Sequence, residues 1–326
     1  MPNLLFTDYC NRNCPYCFAK EKLSQDPTAQ HQLSFANLVT VLDFLDGSGA
    51  KHLNILGGEP TLHPRFAHFL RYVLGRHFLV NVFTNGVMAP PVLAEIGAVL
   101  ADFAPSSQEL CLVINLNEGH LRSAEEDASQ RRVMASLKQN ASLSFNIFRA
   151  DHDFSFLLET IARYELTSHL RLGLAQPIVG RQNLGLPVAD YPRVVEQVLA
   201  LAAECDKQGI KIIMDCGFPL CLFSDAQIGA LFRCDAQLNF TCGPPIDIGP
   251  DLKVWFCFPL SATKSVLLTQ FSDLEALVKH LTGMFQPELE QKGLYDKCAS
   301  CKFLERRQCS GGCISHYLER DIAQIG

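Results

Sequence analysis

The stretch from Thr7 to Phe18 reads TDYCNRNCPYCF and follows a short apolar run that begins at Asn3. Its cysteines, Cys10, Cys14 and Cys17, have the spacing C-x3-C-x2-C. Three thiolates can bind three irons of a four-iron cluster and leave the fourth iron without a protein ligand. A small molecule with an amine and a carboxylate can chelate that open iron. The spacing therefore predicts a reactive iron–sulfur site in the loop after the first strand.

Zinc is the main alternative for these cysteines. Structural zinc usually has four ligands, arranged in paired C-x2-C turns. The wider gap between Cys10 and Cys14 fits that pattern poorly, and no fourth cysteine or histidine stands nearby in the sequence. We therefore favour a cluster.

Apolar runs rich in β-formers alternate along the chain with amphipathic stretches typical of helices. We predict strands at Asn3 to Thr7, His52 to Leu56, Leu79 to Thr84, Leu110 to Leu116, Leu143 to Phe148 and Leu170 to Leu174. We predict helices at Phe35 to Asp46 with Ser34 as N-cap, at Pro64 to Leu74, after the capping-box pair Ser123 and Glu126, and at Tyr191 to Gln208 with Asp190 as cap.

This alternation predicts a parallel sheet, because parallel neighbours need crossover helices. The loop after the first strand is rich in cysteine rather than glycine, so the usual nucleotide-binding fingerprint is missing. An α/β fold built as a partial (β/α)6 TIM-like barrel fits better. In such barrels the chemistry lies at the carboxyl ends of the strands.

Composition excludes several classes. The 326 residues are 48% hydrophobic, which is ample for a buried core, and the net charge is -6. A general nucleic-acid binder would need a basic stripe, which the sequence lacks. There is no long apolar run, and the start, MPNLLFTDYC, lacks the regions of a signal peptide. We expect a cytoplasmic protein with neither nucleic acid nor membrane as partner.

Fourteen cysteines in a chain without an export signal favour metal ligation over disulfides. Cys111 and Cys205 stand alone in apolar stretches, and we expect them to be small buried side chains. After about residue 216 the βα rhythm gives way to loops rich in Cys, Gly and Pro. We therefore predict a barrel at 1–215, a boundary near Asp215 and a metal-dependent domain at 216–326. Nine cysteines fall in that domain: Cys216, Cys221, Cys234, Cys242, Cys257, Cys298, Cys301, Cys309 and Cys313.

Motifs at three successive strand ends resemble those of the radical S-adenosylmethionine (radical SAM) superfamily. The cysteine loop matches the family's C-x3-C-x-aromatic-C signature, with Tyr16 at the aromatic position that packs near the adenine. The resemblance implies a 4Fe-4S cluster on the three cysteines and S-adenosylmethionine (SAM) at its open iron. Two further motifs match: GGEP, whose backbone binds the methionine amino group, at Gly57, Gly58, Glu59 and Pro60, and TNG at Thr84, Asn85 and Gly86.

The remaining SAM contacts are looser matches. Asn115 and Asn117, near the end of the fourth predicted strand, stand where family members place a polar residue against the ribose, and Asn146 on the fifth strand is a further ribose candidate. Arg122 or Arg149 is a candidate partner for the methionine carboxylate. An ordinary surface arginine is the alternative for each.

The cysteine-rich tail resembles the auxiliary-cluster extension called SPASM or, when shorter, twitch. Cys298, Cys301, Cys309 and Cys313 read C-x2-C-x7-C-x3-C and follow Cys234, Cys242 and Cys257. By the resemblance, Cys234, Cys242, Cys257 and Cys313 close one auxiliary cluster. Cys298, Cys301 and Cys309 begin a second, completed by Cys216 or Cys221 or left with an open iron.

The tail departs from the family pattern in three places. The third gap is seven residues where five is usual, Leu252 stands where glycine is usual, and no cysteine follows Cys313. A zinc knuckle at the four C-terminal cysteines is the alternative, because their spacing also suits zinc. The pattern predicts at least one auxiliary cluster and leaves a second open.

The sequence does not identify the catalytic acid or base. In peptide-modifying relatives an acid often follows the second cysteine of the pair, but Cys257 is followed by Phe258 and Pro259. That difference argues against a sulfatase-maturation reaction. The candidate proton or hydrogen-atom donors are Asp215, Asp247, Asp251 and Cys221.

The resemblance implies an enzyme charged by an external one-electron reductant of flavodoxin or ferredoxin type. SAM is cleaved reductively, and the 5'-deoxyadenosyl radical takes a hydrogen atom from a substrate in the barrel mouth. Auxiliary clusters would accept an electron or anchor the substrate. Whether the enzyme is an oxidoreductase, a transferase or an isomerase depends on the fate of the substrate radical.

Two substrate classes compete. We favour modification of a ribosomally made peptide, and the alternative is oxidation or rearrangement of a small metabolite such as a sugar or nucleoside. The first strand begins almost at residue 1, so we expect no N-terminal peptide-recognition domain, which weighs against the peptide. A non-enzymatic electron carrier or a zinc-stabilised binding module is the rival from another class, but neither needs GGEP and TNG beside an open cluster.

Overall fold

The computed structural model describes residues 1–24, 26, 31–103, 106 and 108–319. The strands are β1 (Asn3–Leu5), β2 (His52–Leu56), β3 (Leu79–Thr84), β4 (Leu110–Asn115), β5 (Ala141–Ile147), β6 (His169–Leu174), β7 (Lys211–Met214), β8 (Asp247–Ile248), β9 (Lys253–Trp255) and β10 (Val266–Leu267). The α-helices are α1 (Phe35–Gly47), α2 (Phe66–Gly75), α3 (Pro90–Phe103), α4 (Ala124–Leu137), α5 (Ser155–Tyr164), α6 (Tyr191–Lys207), α7 (Asp225–Arg233), α8 (Leu274–Met284), α9 (Gln286–Gln291) and α10 (Lys302–Glu305).

One sheet contains all these strands, in the order β10-β9-β8-β1-β2-β3-β4-β5-β6-β7. Neighbours from β1 to β7 pair in parallel, and β8 pairs in parallel with β1 on the other side. The last two pairs, β8 with β9 and β9 with β10, are antiparallel. The sheet ends at β7 and β10 without closing, so the predicted partial barrel is confirmed.

The predicted strands are all present, with ends that differ by at most two residues. The sequence reading missed β7, because the run KIIM is short and directly follows a long helix. It also missed β8, which has only two residues and is too short to show the alternation of apolar and polar side chains that marks a strand. The carboxyl ends of eight parallel strands, rather than six, therefore meet at one rim.

Helix starts follow local capping chemistry. Ser34 accepts a hydrogen bond from the Asn37 backbone N–H at 3.0 Å, so the predicted cap of α1 is confirmed. Ser123 and Glu126 form the predicted reciprocal capping box of α4. Asp190 precedes α6 but makes no side-chain cap bond, and Pro192 in the first turn supplies the start signal instead.

The two faces of the sheet differ in polarity. Leu4, Leu53 and Val80 point to the helices and lie in the main hydrophobic core. The opposite, inner face carries a polar row across four adjacent strands. Asn81 donates to Asn54 at 3.2 Å, Asn54 to Asn3 at 2.8 Å, and Asn3 to Asp247 at 2.6 Å. Most barrels fill this space with branched apolar side chains, so the inner face here is suited to a polar guest.

The cysteine-rich part of the chain extends the same sheet from its first edge, through β8, β9 and β10. The boundary near Asp215 stays a prediction, and residues 320–326 of the predicted second domain lie outside the described residues. In the part of the chain that the structure describes, no helix is both long and apolar enough to cross a bilayer.

Candidate active site

The first cysteine group, Cys10, Cys14 and Cys17, lies in the loop after β1. Each thiol of the group interacts electrostatically with the other two, so the loop brings all three together. Burial raises the pKa of Cys10 to about 12 and that of Cys17 to about 11. Thiols held in this way need the charge of a bound metal to become thiolate ligands.

The GGEP stretch at the end of β2 packs against the backbone of this loop. A side chain on Gly57 would lie 2.3 Å from the carbonyl oxygen of Thr7. Gly58 donates its backbone N–H to that oxygen at 2.9 Å, and Glu59 donates to the carbonyl oxygen of Tyr9 at 2.8 Å. The glycines are therefore required for packing against the cysteine loop, in addition to any approach of a ligand.

Glu59 is a buried link between two strand ends. Its carboxylate accepts hydrogen bonds from the hydroxyls of Thr61 and Thr84, at 2.6 and 2.7 Å, and from the Asn85 backbone N–H at 2.7 Å. Burial raises its pKa, although these donors oppose the shift. The GGEP and TNG motifs are thus joined through one side chain.

Tyr16 lies flat against Phe148, with ring centroids 5.0 Å apart and planes inclined by 11°. Its hydroxyl contacts Asn117 and accepts a hydrogen bond from the Asn115 amide at 3.2 Å. Asn146 donates to Asn115 at 3.1 Å. The structure therefore connects the three predicted ribose candidates in one network beside the cysteine loop.

Two amides also approach the cysteines. The Asn85 amide nitrogen lies 4.0 Å from Cys10 Sγ, and the Asn117 side chain lies at the same distance from Cys14 Sγ. Hydrogen bonds to sulfur tune the potential of an iron–sulfur cluster. Predicted residues from the third and fourth strand ends thus meet the first cysteine group.

Glu118, Arg149 and His152 form a cluster that packs against Phe148. This cluster was not predicted from the sequence. Glu118 accepts two hydrogen bonds from the Arg149 guanidinium, both at 2.7 Å, and contacts His152 Nδ1 at 3.0 Å. His152 Nε2 accepts the Phe148 backbone N–H at 3.3 Å, so we assign the ring proton to Nδ1. No sequence spacing signals this cluster, because its partners are 31 and 34 residues apart.

Both arginines considered for the methionine carboxylate have partners within the protein. Arg149 is held by Glu118. Arg122 pairs with Asp127 at 2.6 Å and contacts Gln130 at 3.3 Å. A role in binding SAM would require either arginine to exchange or share these partners.

Four cysteines form a second group, which we call the inner cysteine group: Cys216, Cys242, Cys257 and Cys313. All six pairs among them interact electrostatically. Burial raises the pKa of each thiol. This group contains three of the four predicted ligands of the first auxiliary cluster, with Cys216 in place of Cys234.

The outer cysteine group consists of Cys221, Cys298, Cys301 and Cys309, which line one cavity of about 280 Å³. That volume is far larger than the ~10–15 Å³ that one water-sized sphere needs, so a multi-atom group fits. Cys309 Sγ accepts backbone N–H groups from Leu220 at 3.4 Å and Gly311 at 3.2 Å. Such donors stabilise a thiolate.

Cys234 lies elsewhere, at the end of α7, where it interacts with Cys205. Cys205 and Cys111 are buried, in agreement with expectation. All fourteen cysteines fall within the described residues and are free thiols. No three His, Cys, Asp or Glu side chains in this part of the chain are arranged to bind a single metal ion.

The four candidate proton or hydrogen-atom donors lie in different parts of the structure and differ in burial. Asp215 follows β7 and pairs with Arg171 at 2.9 Å, and the Arg171 guanidinium lies 4.5 Å from the centroid of the Phe83 ring. Asp247 is buried in the polar row of the inner face. Asp251 lies in the turn between β8 and β9 and pairs with Lys253 at 2.8 Å. Cys221 belongs to the outer cysteine group.

Comparison with known proteins agrees with this geometry. A family model described as the Radical SAM superfamily matches residues 4–103. An S-adenosylmethionine-dependent nucleotide dehydratase from Selenomonas ruminantium is 35% identical over 85 residues, covering 26% of this chain and 29% of that protein. Mycofactocin maturase MftC from Mycobacterium tuberculosis is 33% identical over 85 residues, covering 26% of this chain and 21% of that protein. The matches therefore span less than a third of either relative.

Two solved structures resemble the whole fold. The structure of anSMEcpe with bound AdoMet has a TM-score of 0.65 at 16% identity, covering 96% of this chain and 86% of that one. Streptococcus suis SuiB bound to precursor peptide SuiA has a TM-score of 0.66 at 14% identity, covering 98% of this chain and 73% of that one. At these identities the likeness establishes the fold alone.

Proposed function

We propose that Cys10, Cys14 and Cys17 bind a 4Fe-4S cluster whose open iron binds SAM, because residues 4–103 match the Radical SAM superfamily. Such a cluster, when reduced, supplies the electron that cleaves SAM to a 5'-deoxyadenosyl radical. The match to this superfamily supports an enzyme. We propose that it abstracts a hydrogen atom from a substrate at the rim of the barrel.

The main support for this proposal is the way the fourteen cysteines divide among the three groups. Eight of the fourteen fall into the inner and outer groups, and Cys111, Cys205 and Cys234 lie outside all groups. The first group is therefore left with three thiols. A four-iron cluster held by three thiolates keeps one iron open for a ligand.

The residues around the first group suit SAM. The stacked face of Tyr16 and Phe148 offers an aromatic wall for the adenine. The amides of Asn115, Asn117 and Asn146 supply hydrogen-bond partners for the ribose hydroxyls. We assign the amino group of SAM to the backbone of the GGEP stretch, with Thr84 and Asn85 completing the rim.

We further propose two auxiliary clusters, one on the inner and one on the outer cysteine group, as in a SPASM-like domain. Four thiols in each group match the four ligands of a closed cluster. A zinc ion would draw its sulfur ligands to about 2.3 Å from one point. The cavity lined by the outer cysteine group has room for more than one atom.

A peptide is the substrate class we favour. The name of MftC marks a maturase, and SuiB has been solved with its precursor peptide. A small polar metabolite is the second candidate. The polar row on the inner face and the Arg171–Asp215 pair favour it, as does the nucleotide dehydratase among the relatives.

Metal analysis and ligand binding test the proposal together. We expect anaerobically prepared wild type to contain about twelve irons with matching sulfide, as three four-iron clusters require, and to bind one SAM. The Cys10→Ala/Cys14→Ala/Cys17→Ala variant should lose about four irons and all SAM binding. Zinc in place of iron, or SAM binding that survives the triple change, would refute the assignment.

A further inference from the structure

We propose that the basic surface around the outer cysteine group is the docking site for an acidic one-electron carrier protein. We call this surface the outer basic face and define it by Lys292, Lys297, Lys302, Arg306 and Arg307. The inference rests on the proposed function, since it takes the outer cysteine group to hold an iron–sulfur cluster. It adds the place where electrons enter and the chemistry of the partner that brings them.

The local charge of this face is opposite in sign to that of the whole chain. Residues 292–307 contain five basic and two acidic residues, whereas the whole chain has a net charge of -6. Lys297, Lys302 and Arg306 are exposed, and Arg307 pairs with Glu290 of α9. A positive patch on an acidic protein attracts partners of opposite charge and accelerates their encounter.

The cavity joins this positive charge to the cysteines. Lys297 and Lys302 line the same cavity as the outer cysteine group, and they flank Cys298 and Cys301 in the sequence. A carrier that binds these two lysines therefore lies directly over the cavity.

Aromatic rings hold both lysines beside the opening. The ammonium of Lys297 lies 5.3 Å from the centroid of the Tyr295 ring, and that of Lys302 lies 5.1 Å from the centroid of the Phe303 ring. Cation–π contacts of this kind restrain the long side chains without neutralising their charge. The positive charge therefore remains available to a partner.

The solvent exposure of its cysteines indicates that electrons enter at the outer group. Cys221 is exposed, whereas every member of the first and inner groups is buried or half-buried. Electron transfer between proteins requires the two redox centres to come close across the interface. The outer group is therefore the one that a docked carrier can approach most closely.

Two short segments connect the outer group to the inner one. In the first segment, Cys216 belongs to the inner group and Cys221 to the outer group. In the second, Cys309 belongs to the outer group and Cys313 to the inner group. Segments of five and four residues span at most about 18 and 14 Å, so the two groups are neighbours. One electron from a reduced carrier can pass from the outer to the inner group, leaving the carrier oxidised, with no bond or proton transferred.

Two alternative roles for the lysines lead to different predictions. Lysines beside thiolates can compensate the charge of a cluster, which would alter reduction by any donor. An acidic peptide could also use this face, and then the rate of reduction would not depend on the lysines. Docking of an acidic carrier predicts an effect that depends on both the donor and the salt concentration.

The experiment follows reduction of the cluster-loaded protein by stopped flow. One arm uses reduced ferredoxin, an acidic iron–sulfur protein, and the other uses photoreduced deazariboflavin, an uncharged donor. The variant is Lys297→Glu/Lys302→Glu. The control is Lys207→Glu, an exposed lysine at the end of α6, beside the amino-terminal end of β7 and away from the cavity.

We expect the double variant to be reduced by ferredoxin at least ~10-fold more slowly than wild type at low salt. Its iron content and its rate with deazariboflavin should stay unchanged, and the control should match wild type. Equal ferredoxin rates in variant and wild type would overturn the docking site, as would equal slowing with both donors. Failure of the proposed function would show separately, as a wild-type protein without iron in the outer group.

Discussion

The carbonyl oxygen of Tyr9 lies 2.1 Å from the position that a Cβ atom on Gly58 would take. A real Cβ atom cannot approach an oxygen that closely, so any side chain at residue 58 would displace the cysteine loop. The next residue, Glu59, binds the same carbonyl through its backbone N–H. The position of the first cysteine group therefore depends on the absence of a side chain at the end of β2.

The first prediction follows from this contact. Gly58→Ala should lower the free energy of unfolding by about 1–3 kcal/mol, because the clash lies with backbone and cannot be relieved by a side-chain rotation. It should also lower the iron content of the first group. Urea unfolding and iron analysis measure the two effects.

Gly97→Ala is the matched control for that change. Gly97 is an exposed residue inside α3, and a Cβ atom there meets nothing within 4 Å. Alanine should raise the free energy of unfolding by about 0.5–1 kcal/mol. If both glycine variants behaved alike, the loop contact would have no special role.

The second prediction concerns Asp247, whose pKa burial raises to about 7. Its unfolded pKa is about 3.9, so the folded state binds the extra proton between about pH 4 and pH 7, and stability is lost as pH rises through that window. Asp247→Asn keeps an acceptor for Asn3 and removes the cost of the charge. The variant should be more stable than wild type at pH 8, by up to about 4 kcal/mol, and nearly equal at pH 4.

Urea unfolding at several pH values tests this prediction. The difference in unfolding free energy between variant and wild type should grow from pH 4 to pH 8. Asp251→Asn, in the turn between β8 and β9, is the control and should show no such growth. A pH-independent difference for Asp247→Asn would contradict the argument.

The third prediction concerns the wall formed by Tyr16 and Phe148. Phe148→Leu removes the stacked ring, and an aromatic pair contributes about 0.5–1.5 kcal/mol. We expect SAM to bind two- to tenfold more weakly, as measured by calorimetry. Phe154→Leu is the control, because Phe154 packs near His152 and Phe145 but not on Tyr16. Equal affinities for both variants would show that the stack does not contact SAM.

The fourth prediction tests the cysteine assignment. Cys221→Ala should lower the iron content by up to about four per chain, because it removes the exposed ligand of the outer cluster and leaves one iron open to solvent. Cys234→Ala should leave the iron content unchanged, since Cys234 lies beside Cys205. The reverse result would restore the ligand set implied by the family pattern.

The sequence predicted local features well. Ser34, Ser123 and Glu126 cap their helices through bonds between residues three apart, and such bonds are visible in the local pattern. The predicted strand ends brought Tyr16 and Asn115 together, because parallel strands place their carboxyl ends at one rim.

Long-range partners were less predictable. Cys216 joins the inner cysteine group in place of Cys234 because β7 ends two residues before it and sets its position. β7 has only four residues and was not predicted from the sequence. The support of Phe148 by His152 and Glu118 joins two loops that share no spacing. Residues that meet only through the completed fold leave no periodic signal in the sequence.

The central claim is that the first cysteine group cleaves SAM, and formation of 5'-deoxyadenosine with dithionite under anaerobic conditions tests it most directly. The comparison is between wild type, Cys14→Ala and Cys205→Ala, in which a buried cysteine outside all three groups is changed. We expect wild type and Cys205→Ala to form 5'-deoxyadenosine and Cys14→Ala to form none. Formation by Cys14→Ala at the wild-type rate would contradict the account.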